Sequence, residues 1–177
     1  MKRYLAVLAV LTFGIVGCSL QSKEVSENPS QIYDANGITF NYPLNWEVIS
    51  PDQLNVYVTD YTYLAVLADK DDSAGTVARF VIVQTDKGFY DYMAGERDYY
   101  QEQYKDQLSE KAISVNGMSA TQFESTGSAL SGEKRKSLNI YFEHNHEIYY
   151  LTFSTLLADY DKVKPDFDMV ANSFQIK

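Results

Sequence analysis

From Ile38 the chain alternates, with Ile38, Phe40 and Tyr42 on one side of an extended backbone and Thr39 and Asn41 on the other. Asn36-Gly37 in front of this run is a turn signal. Pro43 behind it ends the strand or confines it to an edge, because proline has no N–H to give to the ladder. Trp46, the only tryptophan, is expected to close one end of the core with its indole N–H reaching a partner near the surface. Residues 63–68 (YLAVLA) and 76–84 (TVARFVIVQ) are apolar over most of their length, which predicts central strands covered on both faces. The segment DKDDSAG joins them.

After Gly88 the period changes. Phe89, Met93, Tyr100, Tyr104 and Leu108 recur at helical spacing, with Glu96, Arg97, Glu102 and Asp106 elsewhere around the axis. This predicts a helix of about five turns ending near Ser109. The stretch AISVNGMSATQFEST then reads as a hairpin, because Asn116-Gly117 suits a two-residue turn with φ > 0 at both positions. A polar stretch, GSALSGEKRKS, leads to a second hairpin, LNIYFEHNHEIYYLTF. In the last segment Phe167, Val170, Ala171 and Phe174 mark one helical face. Pro165 is expected in that helix's first turn, where a missing N–H is harmless. The closing Gln175-Ile176-Lys177 could add an edge strand. Strands, helix, hairpins and helix in this order predict an α+β fold, an antiparallel sheet flanked by helices.

The N-terminus follows different rules. Lys2 and Arg3 precede an apolar run from Leu5 to Val16, which is too short to span a membrane and of the right length for the apolar region of a secretory signal. The run ends in Ile15-Val16-Gly17-Cys18, which resembles the lipobox of prokaryotic lipoproteins, with Ile where Leu is commoner. The resemblance implies that the Cys18 thiol takes diacylglycerol and that cleavage leaves Cys18 as the new N-terminus. Two or more acyl chains hold a protein stably on a bilayer, where one does not. Residues 1–17 are therefore read as a lipoprotein signal peptide. Residues 18–32 are the lipidated cysteine and a flexible tether, and residues 33–177 are the folded domain.

Charge and cysteine count narrow the function. The formal net charge is −9, and loss of residues 1–17 removes two cations and no acid, giving −11 over 160 residues. This argues against nucleic acid, which needs a basic footprint, and against electrostatic adhesion to anionic lipid. With one cysteine no intramolecular disulfide can form, so stability must come from packing.

Two segments carry a family resemblance. YDANGITFNYPLNWEV looks like the opening of the PsbP-like domain: a short glycine turn, an alternating strand, a proline and then tryptophan. NHEIYYLTFSTLLADYDKVKPDFDMVANSFQI is similar to the final hairpin, helix and Ser-Phe strand entry of the same family. The resemblance implies the α/β/α sandwich shared with Mog1 and a non-enzymatic habit. Chloroplast members of the family assist the oxygen-evolving photosystem, and cyanobacterial members are lipoproteins. No segment here matches a photosystem-binding sequence, and Mog1's Ran-binding role needs a nuclear partner that an exported protein would not meet.

The candidate chemistry is sparse. Glu143, His144, His146 and Glu147 are ligand types for zinc or another divalent metal, yet they fall where the second hairpin must turn. Asp69, Asp71 and Ser73 resemble half of a calcium loop, but Ala74 stands where glycine is needed and Phe80 where a bidentate Glu is needed. There is no G-x-S-x-G, H-E-x-x-H or P-loop motif, so no catalytic residue is assigned and an enzyme is not expected. Fourteen tyrosines lie beyond the signal, and adjacent pairs such as Tyr99-Tyr100 cannot both face one core. They serve either recognition or an amphipathic core boundary. The sequence thus reads as a lipid-anchored, extracytoplasmic accessory or binding module for a protein or small-ligand partner. It carries no cofactor beyond the diacylglycerol on Cys18. The alternative is a divalent-metal-binding lipoprotein with its site near His144 and His146.

Overall fold

Strand β1 (Ser30–Ala35) turns at Asn36-Gly37, where φ is 51° and 76°, into β2 (Ile38–Pro43). Ile38, Phe40 and Tyr42 are all buried, so the alternation points as its pattern predicts. A short β3 (Trp46–Val48) and a 3₁₀ turn at Pro51–Gln53 lead to β4 (Tyr61–Asp69) and β5 (Val77–Val83). Helix α1 (Phe89–Tyr104) precedes the hairpin of β6 (Leu108–Val115) and β7 (Met118–Ser128). Strands β8 (Lys134–His144) and β9 (Glu147–Leu156), helix α2 (Tyr160–Ser173) and β10 (Gln175–Ile176) complete the chain. The computed structural model describes residues 29–53, 60–71, 75–104, 107–128 and 132–177. Cys18, the signal segment, most of the tether, Tyr57 and Ser73-Ala74 lie outside these residues.

All pairings are antiparallel. One sheet has the order β1-β2-β10, and the other has the order β3-β4-β5-β9-β8-β7-β6. On one face of the large sheet, Phe80, Phe153, Leu138 and Ile140 share a core with Phe40 of β2 and with Phe167, Val170 and Phe174. On the other face, Phe123 and Tyr141 pack with Met93 and Tyr100 of α1. Helix α1, the seven-stranded sheet, and α2 with the small sheet are therefore three layers, the expected α/β/α arrangement.

Aromatic rings hold the layers together. The Phe40 ring stacks on Phe80 at 4.4 Å and on Tyr33 at 4.9 Å, and Phe80 in turn stacks on Phe174 at 5.8 Å. Each such pair is worth about 0.5–1.5 kcal/mol beyond the area it buries. The tip of the small sheet is tied down by polar bonds. Tyr33 Oη and Asn36 Nδ2 both donate to the Leu64 carbonyl, each at 2.7 Å.

Four details differ from the sequence reading. Strand β1 begins at Ser30, inside the segment read as tether, because its residues find ladder partners from Pro43 to Ile38 on β2. Helix α1 stops at Tyr104, and Leu108, which continued the helical phase, instead opens β6 opposite Ser125. Pro165 sits inside α2, past the first turn, where its missing N–H leaves the Asp161 carbonyl without the usual i−4 bond. Trp46 is wholly buried, its ring edge-on to Phe167 at 5.9 Å, and its indole N–H has no partner among the described residues.

Beside the core, Glu124 of β7 joins three strands. Its carboxylate accepts from Lys136 on β8 at 3.1 Å and lies 3.7 Å from Lys111 on β6. Burial works to raise its pKa, but the Lys136 hydrogen bond and the charges of Lys136 and Lys111 outweigh that and hold it below the ordinary 4.5.

Two stability measurements test this picture. Phe80→Ala should cost about 3–5 kcal/mol in denaturant unfolding, whereas Tyr90→Ala, at a ring that is 86% exposed, should stay within about 0.5 kcal/mol. Glu124→Gln should be less stable than the parent at neutral pH. A carboxylate held low contributes stability that is complete above its unfolded pKa and fades as pH drops through the folded one. The gap between parent and variant should therefore close below about pH 4.5, and a gap that is constant with pH would refute the role of the lysines.

Candidate functional site

Because side chains alternate along a strand, the residues next to the core positions of β5, β9 and β8 must face α1. Ladder register then lines up three of them. Arg79 pairs with Thr152, and Thr152 pairs with Asn139. One step along, Ser154 pairs with Ser137 and Ser137 with Ser125. Two polar rows thus cross the α1 face of the sheet between strand positions that are buried in the core. Helix α1 ends at Tyr104, so these rows are roofed only in part.

The result is a cavity of about 380 Å³ between α1 and the sheet. Its floor is Arg79, Thr152, Ser154, Asn139, Ser137 and Ser125, and its walls are mostly tyrosine rings from α1, β4, β8 and β9 together with Glu96. Two smaller hollows of about 230 and 160 Å³ adjoin it around Tyr104. The Tyr104 ring leans on Gly127, where a Cβ would stand 2.7 Å from the ring, so only glycine leaves the ring this place.

Two hydrogen-bond systems define the polarity of the cavity. At one end Tyr100 and Tyr141 share a hydroxyl contact at 3.2 Å, and Tyr141 Oη donates to Glu96 at 2.7 Å. At the other end Tyr150 and Thr152 both donate to Asn139 Oδ1 at 2.8 Å. The Tyr141 and Tyr150 rings stack at 4.4 Å and connect the two systems. Burial raises the pKa of Tyr100, Tyr141 and Tyr150, so these hydroxyls stay protonated donors at any physiological pH. For Tyr150 the nearby Arg79 charge pulls the other way without overcoming burial.

Several polar groups in this cavity have no protein partner among the described residues. The Asn139 side chain, only 3% exposed, spends its oxygen on Tyr150 and Thr152 and keeps its NH₂ unpaired. Ser125 is as little exposed, and it lines the same hollow. The half-buried Arg79 guanidinium makes no ion pair or hydrogen bond among the described residues. These groups open onto the hollow, where whatever fills it, water included, can satisfy them.

The residues singled out from sequence fall elsewhere. Asn145 and His146 form the turn between β8 and β9, with φ of 51° and 66°, so His146 leaves the strand and does not share a face with His144. His146 is fully exposed and lies 3.8 Å from Glu143, while His144 meets the Tyr149 ring edge-on and Tyr149 donates to Glu147. Among the described residues, no group of three or more His, Cys, Asp or Glu side chains is placed to hold a metal ion. In the acidic loop, Asp69 Oδ1 accepts the backbone N–H of Asp71, an ordinary turn bond. The tyrosines divide as adjacency requires, with Tyr99 half exposed and Tyr100 buried. The cavity itself was missed. Its signal was a polar residue set between apolar ones in three separate strands: Arg79 in ARF, Asn139 in LNI and Thr152 in LTF.

Solved structures with this architecture include LpqN of Mycobacterium tuberculosis, which is involved in cell envelope biogenesis. It is 10% identical with a TM-score of 0.56, covering 87% of this chain and 87% of that one. Cyanobacterial PsbP (CyanoP) from Synechocystis sp. PCC 6803 is 18% identical with a TM-score of 0.52, covering 93% and 100%. A Mog1 point mutant is 9% identical with a TM-score of 0.52, covering 84% and 96%. At such identities the likeness is one of fold. No curated protein sequence matches the chain significantly. Among the described residues no helix is long and apolar enough to cross a membrane. The family model described as PsbP-like protein matches residues 5–176, nearly the whole sequence, and the chain belongs to that family.

Proposed function

We propose that this protein is a lipid-anchored, extracytoplasmic binding module without catalytic activity, and that its ligand occupies the cavity between α1 and the seven-stranded sheet. The observation that carries the reading is the set of donors, the Arg79 guanidinium, Asn139 Nδ2 and the Ser125 hydroxyl, that have no side-chain partner among the described residues and open onto a hollow large enough for a small molecule. The lining contains hydroxyls but no histidine or cysteine, so no serine there has a neighbouring imidazole to activate it. The anchor rests on Ile15-Val16-Gly17-Cys18 and the charged, apolar segment ahead of it. LpqN is involved in cell envelope biogenesis, and a tethered binding domain of the same fold suits work at a cell surface.

Small molecules released on denaturing the lipidated protein, extracted from its own membranes, test the binding reading. One compound should be recovered in stoichiometric amount from the parent and be lost from a Ser137→Tyr variant with unchanged circular dichroism, because the added ring fills the cavity floor. Nothing recovered from either protein, combined with turnover in a broad hydrolase screen, would overturn the reading.

The anchor has its own test. Cys18→Ser should abolish incorporation of a labelled fatty-acid analogue and stall signal cleavage, because a hydroxyl is a far poorer nucleophile than a thiolate near neutral pH. Intact mass of the parent should show Cys18 as an acylated N-terminus. An unmodified thiol there would refute the anchor.

A further inference from the structure

We propose that the cavity recognises a small carboxylate that also carries hydrogen-bond donors, hydroxyl or ammonium, at its far end. The proposal rests on the binding reading above and adds the chemical class of the ligand. The row Arg79–Thr152–Asn139 is a donor surface. The guanidinium offers a fork of N–H groups, the Asn139 NH₂ offers two more, and neither has a partner among the described residues. Ser154, which also lines the hollow, accepts from Arg135 Nε at 3.1 Å and so keeps its own O–H to donate. A surface made of donors around one cation calls for an anionic oxygen pair, and the guanidinium fork matches a carboxylate with two parallel bonds. In a chain of net charge −9, that cation is a local reversal of sign.

A second group in the same cavity fixes the other half of the ligand. Glu96 lines the same hollow and accepts from Tyr141 with one oxygen, leaving acceptor capacity for a ligand donor. Tyr141 lies two strands across and two residues along from Arg79, since Tyr141 pairs with Tyr150 and Tyr150 with Val81. Strand spacing then puts the Cα atoms of Arg79 and Tyr141 about 12 Å apart, and their side chains close most of that gap. One positive and one negative group lining one hollow favour a monoanion with a donor tail over a phosphate dianion, whose second charge Glu96 would repel. At about 380 Å³ the cavity falls at the small end of ligand sites.

The test uses the full chain in detergent micelles, isotopically labelled, titrated at constant ionic strength with glycerate, glycine, acetate, inorganic phosphate and glycerol. Saturable shifts of the Asn139 Nδ2 and Arg79 Nε resonances should appear with glycerate or glycine, more weakly with acetate, and not with glycerol. Arg79→Met should weaken that binding about tenfold or more, and Arg79→Lys should restore part of it. Ser137→Ala, which leaves the tyrosine network alone, should weaken it by a smaller factor. Phosphate binding tighter than any carboxylate, or carboxylate binding unaffected by Arg79→Met, would overturn the assignment. So would no saturation by any carboxylate. In each of these cases a neutral compound recovered from the native protein would still uphold the cavity as a binding site, so the two readings fail separately.

Discussion

Phe80 is the residue on which the rest of the molecule is registered. Its ring is fully buried, stacked on Phe40 from the small sheet and on Phe174 behind α2, and edge-on to Phe153 of the neighbouring strand. One side chain thereby touches both sheets and the C-terminal segment, and burying it contributes about 2–3 kcal/mol before any ring–ring term. The consequence reaches the other face. A strand has period two, so fixing Phe80 inward fixes Arg79 outward, beneath α1. A slip of one residue would drive a guanidinium into a stack of rings, and its desolvation would cost far more than the stacking returns. The aromatic core therefore places the cavity's cation without touching it.

The same coupling repeats in β8 and β9. Leu138 and Ile140 hold Asn139 on the α1 face, and Leu151 and Phe153 hold Thr152 there. Strand β5 spends one outward position on a polar group and β8 and β9 two each, and the ladder brings those positions side by side. Central strands covered on both faces usually read as continuous apolar runs. The departures in this sheet lie where the cavity opens between its second face and α1.

This explains how far the sequence could be read. Local signals were reliable: the alternation from Ile38, the Asn116-Gly117 turn with φ of 47° and 83°, and the Phe167, Val170 and Ala171 face of α2 are decided by residues a few places apart, although Phe174, read with that face, lies just past the helix in extended backbone. The end of α1 was not, because Leu108 is in phase with the helix and also suits the first position of an edge strand. Pro165 misled for a related reason, since tertiary burial of Val163 and Phe167 carries the helix through a residue that opposes it. The cavity depends on the mutual register of β5, β8 and β9, whose pairings span up to about 80 residues, and no local pattern encodes it. The histidines drew attention because they are chemically versatile, and the structure places His146 in the hairpin turn and His144 against the Tyr149 ring.

The way α1 is attached completes the argument. An aliphatic helix face would seal itself against the sheet, whereas this one docks through tyrosine. Tyr100 stacks on Phe123 at 4.8 Å and extends its hydroxyl to Tyr141, which is itself stacked on Tyr150 and bonded to Glu96. Hydrogen bonds are directional where apolar contacts are not, so this network holds the helix in one pose while keeping it stood off from the polar rows beneath. Burial keeps those hydroxyls protonated, so the pose does not change with pH near neutrality. The abundance of tyrosine thus has a structural reason that neither a plain core boundary nor a plain recognition surface supplies. The rings give the area that packs α1, and the hydroxyls give the spacing that leaves room for a guest.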